Sequence, residues 1–314
     1  NELNLLEREI TLIHVKAMKN VLNDYNDQID LIGFHGQTIY HDSKKKISRQ
    51  LGDGKLLSQI TKKIVINNFR KQDLMNGGQG APLAPIFHKL ISNFIVKKHK
   101  VQFPINIINI GGITNMTQVS NGNNLIDSNF NACDIGPGNY LIDQWVKKNS
   151  KKKFDKNGEL AKSGKVDNLI FNLAVDNFSK ESYEKSLDVK DFDISFVKGL
   201  SLEDGCATLT KYSAYLIAQG IEYFNNYNNF FSINNFVCGG GRKNSFLIEN
   251  INENFTNKKI KLENIDNYGL DGDFIESQCF GYLAVRSYLG LPISFPGTSG
   301  CINSTVGGVI NKNF

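Results

Sequence analysis

Leu3, Leu6, Ile10, Ile13, Ala17 and Val21 recur every three to four residues, the period of a helix with one apolar face, so the chain is read as opening on an amphipathic helix over 3–22. Short apolar runs follow at 29–34 and 64–66, each bounded by polar or glycine-containing turns, as strands are. Residues 70–85 carry Gly77, Gly78, Gly80, Pro82 and Pro85, too many breakers to continue either element, and a long loop is expected there.

A second block begins at Ile105, where a β-branched run, a Gly111-Gly112 break and a second alternating run predict strand, tight turn and strand. Residues 133–148, CDIGPGNYLIDQWVKK, pass from a strand end through Gly136-Pro137-Gly138 into a helix bearing Leu141, Ile142 and Trp145. A helix is expected over 208–224, then a strand ending at Cys238, three glycines and another helix. Phe274, Ile275, Cys279, Phe280, Leu283 and Ala284 predict a last long helix over 271–289, closed by Gly290 and Pro292. Strands alternating with helices in two blocks predict a two-domain α/β protein divided near Pro104, with domains at 1–104 and 105–314.

The chain has 314 residues, 40% of them apolar and 21% charged, enough for a sizeable core. No apolar stretch approaches the ~20 residues that span a bilayer. Lys and Arg number 36 against 31 Asp and Glu, and the surplus is dispersed rather than gathered into a basic stripe, which argues against a nucleic-acid partner. The five cysteines (Cys133, Cys206, Cys238, Cys279 and Cys301) are odd in number, far apart and without Cys-x-x-Cys spacing, so a reducing, cytoplasmic compartment is expected.

Three glycine clusters, 111–112, 136–138 and 239–241, each follow a predicted strand. Backbone without a Cβ approaches ligands closely, and three such sites in one block favour a nucleotide over three unrelated tight turns. No Gly-x-x-x-x-Gly-Lys-Ser/Thr loop and no complete Gly-x-Gly-x-x-Gly fingerprint is present, so ordinary P-loop and Rossmann readings are weak. Asp134, at a strand end beside a glycine loop, reads as a general base or as a loop-fixing acceptor. Glu276, preceded by Asp271 and Asp273, reads as a ligand or as an ordinary acidic helix start. Arg70 and Asp73 read as an ion pair or a binding pair, and His35, Gln37 and Thr38 as a turn network or a polar site.

Taken together, IGFHGQTIYH (32–41), QLGDGKLLS (50–58), NFRKQDLMNGGQGAPLAPIFH (68–88), NIGGITNMT (109–117), DIGPGNYLIDQW (134–145), DGCATLT (204–210), CGGGRKN (238–244) and GLDGDFIESQCFGYLA (269–284) resemble the anhydro-N-acetylmuramic acid kinase family, in the family's order and over nearly the whole chain. The resemblance implies a two-domain, actin-like (ribonuclease H-like) ATPase fold with nucleotide and sugar in an inter-domain cleft. It implies that ATP, water and 1,6-anhydro-N-acetylmuramic acid give N-acetylmuramic acid 6-phosphate, in the recycling of cell-wall sugar. Asp134 of the Asp-x-Gly-Pro-Gly-Asn motif is then the catalytic base. Glu276, Arg70, Asp73, His35, Gly136, Gly138 and Asn139 fall on the sugar side, and Gly111, Gly112, Gly239, Gly240, Gly241 and Asn244 line the nucleotide. ATP and Mg²⁺ are the implied cofactors, with no protein metal site, and the partners are the sugar and ATP, with a homodimer as the candidate assembly.

Two features depart from the family. Its opening Gly-Thr-Ser-x-Asp-Gly phosphate loop has no counterpart here, so the chain is expected to begin partway into a domain. Residues 182–192, SYEKSLDVKDF, stand where the family has Pro-Pro-Lys-Ser-Thr-Gly and keep Lys185 and Ser186. A non-catalytic or regulatory sugar-binding protein that lost the first phosphate loop is the alternative expectation. Another sugar or acyl kinase on the same fold is a third, which the Asp134 motif argues against because such kinases need no water at an anomeric carbon.

Overall fold

Helix α1 (Glu2–Tyr25) forms as the apolar period predicts, but its packed side is not the Leu3/Leu6/Ile13/Val21 stripe, which is exposed. Thr11 is the buried residue, and Val15 and Met18 join a cluster with Phe34, Leu57 and Val65. Polar anchors set this rotation: the Thr11 hydroxyl accepts the Asp53 N–H at 3.0 Å and the Glu7 carboxylate accepts the Gly52 N–H at 3.2 Å. The computed structural model describes residues 2–120, 130–179, 183, 187, 189–227 and 232–314; Lys185 and Ser186 lie outside the described residues.

After α1 come β1 (Leu31–Phe34), the antiparallel hairpin β2 (Gln37–Asp42) and β3 (Ile47–Leu51), α2 (Gly54–Thr61), and β4 (Ile64–Asn67), which pairs parallel to β1. Asp53 caps α2 by accepting the Lys55 and Leu56 N–H groups, as short acidic side chains do at helix starts. Within the expected loop 70–85 the chain instead makes a short helix, α3 (Lys71–Met75), seated by buried Leu74.

The second unit, residues 88–275, takes up α4 (Pro85–His99) and then β5 (Ile105–Ile110), β6 (Thr114–Val119), β7 (Phe130–Gly136), α5 (Tyr140–Asn149), α6 (Glu159–Ser163), α7 (Asn168–Asp176), α8 (Leu202–Tyr227), β8 (Asn234–Cys238), α9 (Ser245–Asn254) and β9 (Lys261–Asn264). Its sheet has the order β7-β6-β5-β8-β9, with a β5-β6-β7 meander on one side and parallel β8 and β9 on the other. This mixed α/β arrangement is of the kind the ribonuclease H-like expectation calls for. Helix α8 is longer than the predicted 208–224 and is buried on two sides. Ala214, Ile217, Ala218 and Ile221 pack on Ile108, Ile110, Met116 and Ile135 of the sheet, while Leu209, Tyr212 and Leu216 join Trp145, Ala161 and Phe171 of α5 to α7.

The chain then returns to the first unit with α10 (Ile275–Tyr288), α11 (Pro296–Ser299) and β10 (Val309–Asn311). The sequence reading divides the chain at Pro104 and leaves 276–314 in the second block; in the structure the first unit comprises residues 2–87 and 276–314. The reason is β10, a strand too short to announce itself, which pairs antiparallel with β4 and pins its Asn311 amide to the Val65 carbonyl at 3.2 Å. Helix α10 crosses β1 so closely that a Cβ on Gly33 would lie 2.4 Å from the Phe280 carbonyl oxygen.

His88 on α4 is fully buried, with its Nδ1 2.7 Å from the Thr117 hydroxyl, and burial pulls its pKa down to about 4. The unfolded chain takes up this proton near pH 6.5 and the folded one only near 4, so stability present above pH 6.5 is lost as pH falls from 6.5 towards 4. The expected outcome is a melting temperature that drops between pH 7 and 4.5, with a shallower drop in His88→Gln, whose amide keeps a partner for Thr117 without titrating. Equal slopes in the two proteins would refute the assignment.

Candidate functional site

Strand β6 is antiparallel to both β5 and β7, and β8 is parallel to β5, so β5, β7 and β8 all run the same way. β7 ends in Gly136, and β5 and β8 run directly on into Gly111 and Gly239, so the three glycine clusters emerge at one carboxyl edge of one sheet, where open α/β sheets bind ligands. Sequence alone places them 25 to 128 residues apart; the sheet order brings them together.

Backbone bonds hold the loops to each other. The Asn139 N–H donates to the Gly111 carbonyl at 2.9 Å and the Tyr140 N–H to the Gly112 carbonyl at 3.2 Å. These donors at the start of α5, which the sequence reading offers to an anion, instead fasten the β7–α5 loop to the β5–β6 turn. Such contact needs glycine: Gly138 has φ +53°, and a Cβ there would lie 2.4 Å from the Gly111 oxygen. Gly239, at φ +78°, sits equally tightly against Asn109 and Ile110 of β5, and the Asn139 amide lies against Gly241. Gly136, Gly138 and Asn139, expected on the sugar side, thus share one framework with the residues expected around the nucleotide. Gly112 and Gly240 differ, since both are exposed and a Cβ on either would meet nothing within 4 Å.

Asp134 stands on β7 two residues before this framework, half-buried, with its Oδ2 accepting the Leu187 N–H at 2.9 Å. The neighbouring Cys133 thiol is pushed well up by burial, with the Asp134 charge adding to the effect, which favours its protonated form. Asn244 caps α9, its Oδ1 accepting the Leu247 N–H at 3.0 Å, so its oxygen is already engaged in a structural role.

The remaining candidates belong to the first unit. Arg70 donates through Nε and Nη2 to His35 Nε2 at 3.2 and 3.1 Å, and through Nη1 to the Gly80 carbonyl at 3.0 Å. His35 Nδ1 lies 2.9 Å from the Gly36 carbonyl. These partners require a neutral imidazole with its proton on Nδ1 and its lone pair towards Arg70; burial and then the Arg70 charge draw its pKa down to about 4. The Phe280 ring packs on His35, 4.3 Å between centroids, one turn along α10 from Glu276. Burial lowers the Arg70 pKa, while Glu276 and Asp73 act electrostatically to raise it. His35, Arg70 and exposed Glu276 therefore form one group.

Asp73 does not present itself to a ligand. It is 1% exposed, and its carboxylate accepts the Gly80 N–H at 2.6 Å and the Ser299 hydroxyl at 2.5 Å, tying the 78–80 loop to α11. Sequence reasoning missed Arg242, which is buried beneath Asp266, Asp271 and Asp273. The available signal was a lone arginine directly after three glycines, with three aspartates 24 to 31 residues on. Those aspartates are partners of Arg242, and the predicted start of the last helix at 271 moves to Ile275, leaving Phe274 exposed in the preceding turn.

Among the described residues no group of three His, Cys, Asp or Glu is placed to hold a metal, and no helix is long and apolar enough to cross a membrane.

Residues 1–313 match the family model described as anhydro-N-acetylmuramic acid kinase. A protein of that name from Pelagibacter ubique is 47% identical over 315 residues, covering 100% of this chain and 82% of the relative. Others of the same name, from Brucella suis and Zymomonas mobilis, are 38% and 37% identical, covering 98% and 97% of this chain and 80% of each relative. A solved structure, the activator of the 2-hydroxyisocaproyl-CoA dehydratase from Clostridium difficile with bound ADPNP, is 12% identical with a TM-score of 0.35 over 65% of this chain and 69% of that one, too slight a likeness to bear on function.

Proposed function

Because the chain belongs to the anhydro-N-acetylmuramic acid kinase family, we propose that it uses ATP to convert 1,6-anhydro-N-acetylmuramic acid into N-acetylmuramic acid 6-phosphate. It is a phosphotransferase acting on a small sugar. Water attacks the anomeric carbon and its proton passes to Asp134. The bond from that carbon to the bridging oxygen on carbon six breaks, that oxygen attacks the γ-phosphorus, and the bond to the β-phosphate oxygen breaks to release ADP.

The observation that carries this reading is the convergence of three glycine clusters at one sheet edge with a carboxylate two residues from them. Phosphoryl transfer needs positioning and charge neutralisation more than covalent chemistry, and backbone N–H groups supply both. The open faces of Gly112 and Gly240 suit a phosphate chain that lies against backbone. Mg²⁺, which typically binds through one or two carboxylates plus substrate phosphates, would enter on the nucleotide.

Glu276 supplies an acceptor for sugar hydroxyls, and Arg70, held by neutral His35, stands near it as a cationic donor. Asp73 acts indirectly through the 78–80 loop. The five cysteines are all unpaired, which supports a reducing, cytoplasmic setting for cell-wall sugar recycling.

The test is turnover in ¹⁸O-labelled water. We expect ADP and sugar phosphate in equal amounts, with the label at carbon one and none in the phosphoryl group. Label in the phosphate would mean attack of water on ATP and would overturn the scheme.

A further inference from the structure

The loop 239–241 is three consecutive glycines, a segment with no side chains to hold its own shape and the largest conformational freedom to lose. Its backbone makes a 3-10 turn, in which the Gly239 carbonyl accepts the Arg242 N–H at 3.3 Å and the Gly241 carbonyl the Asn244 N–H at 3.0 Å, and the Arg242 side chain adds a second hold on the same Gly239 carbonyl. That side chain is 2% exposed. Nη1 donates to the Gly239 carbonyl at 3.1 Å and to Asp273 at 2.8 Å, Nε donates to both Asp266 oxygens at 3.1 Å, and Nη2 lies 3.7 Å from Asp271. Asp266 in turn accepts the Gly272 N–H at 2.8 Å. The three carboxylates are 40 to 56% exposed and close over the buried cation from the solvent side. Asp273, hydrogen-bonded to Arg242 and then to Lys243, is held down at a pKa of about 2, so the clamp keeps its charge at all physiological pH.

The Gly239 carbonyl and the Gly240 N–H belong to one planar trans peptide and point in opposite directions. Holding that carbonyl inward therefore turns the Gly240 N–H outward, on the glycine whose Cβ position is open. We propose that Arg242 is a positioning residue for the reaction: through Gly239 it aims the Gly240 N–H at a nucleotide phosphate. The inference rests on the reading of 239–241 as the nucleotide loop, and it explains why a fork of five donors stands there, since a lysine ammonium cannot bind the carbonyl and two carboxylates in one plane.

Three variants separate the inference from its premise: Gly240→Ala, which intrudes on the nucleotide without touching Arg242, Arg242→Lys, which keeps the charge and loses the fork, and the double variant. Steady-state kinetics are paired with titration of a non-hydrolysable ATP analogue and with melting temperatures. For Arg242→Lys the expected result is a rise of about tenfold in both KM for ATP and analogue Kd, with kcat within about threefold and KM for the sugar unchanged. The double variant should rise by less than the product of the two single effects, because both act on one peptide.

If Arg242→Lys fails to fold, Asp273→Asn removes a single arm of the clamp and should raise KM for ATP about threefold. A normal KM for ATP in Arg242→Lys beside a raised one in Gly240→Ala would overturn the positioning role and leave the loop assignment standing. Normal values in both would overturn the loop assignment and the inference with it. A lower melting temperature with unchanged nucleotide affinity would reduce Arg242 to a structural ion cluster.

Discussion

Asp134→Asn is expected to lose about 10²–10⁴ in turnover while still binding sugar and nucleotide. Asn matches Asp in shape, and its Oδ1 can accept the Leu187 N–H in the carboxylate's place, so the loop it supports should keep its form. What the amide cannot do is take the proton from water at an anomeric carbon. The control is Asp143 on α5, whose carboxyl is raised to about 6 by burial, against the pull of Lys147 and with the help of Asp155. A carboxyl with that pKa could serve as a base on numbers alone, but Asp143 lies in the first turn of α5, beyond the glycine loop that Asp134 precedes. Asp143→Asn should therefore keep turnover within an order of magnitude of the parent. Equal losses in the two variants, or full turnover in Asp134→Asn, would remove Asp134 from the base role.

Gly138→Ala should damage both stability and nucleotide binding. The residue has φ +53°, a conformation that costs a side chain about 1–3 kcal/mol, and its Cβ would lie 2.4 Å from the Gly111 oxygen and 2.8 Å from the Gly112 oxygen. Neither obstacle is a flexible side chain, so the β5–β6 turn must move and the Asn139 and Tyr140 bonds to it must lengthen. The expected result is a melting temperature lower by roughly 5 °C or more, with kcat/KM for ATP reduced about 10²-fold by misplacement of the backbone donors. Gly112→Ala provides the comparison for stability, because it adds its methyl to open space and should melt with the parent. A Gly138→Ala protein with native melting and native nucleotide affinity would show that the two loops need not touch.

Much of the fold was legible from local pattern. The alternating run at 105–119 with its Gly-Gly break became the β5–β6 hairpin, and the apolar period of 208–224 became the middle of α8. The Asp-x-Gly-Pro-Gly-Asn string placed Asp134 on a strand end beside a glycine loop, as its residues demand. These rules work because periodicity, turn residues and caps act within a few residues of chain. They faltered where a distant partner outweighed them. The apolar stripe of α1 was legible, yet Thr11 and Glu7 turned the helix onto polar anchors more than 40 residues away. Arg70 and Asp73 looked like a pair from spacing, and the fold gave Arg70 to His35 and Asp73 to Gly80 and Ser299.

By itself the sequence determined the longer helices, the β5–β6 hairpin and the family, and it singled out Asp134 as the candidate base, because each depends on short strings read in order. Only the tertiary structure decided that three glycine loops share one sheet edge, that Arg242 is the anchor of one of them, and that the last residues complete the first unit. The Asn311 amide meets the Val65 carbonyl across 246 residues of chain. No local preference encodes such a bond; it forms because burial of the first unit's core brings together strands whose sequences carry no mark of one another.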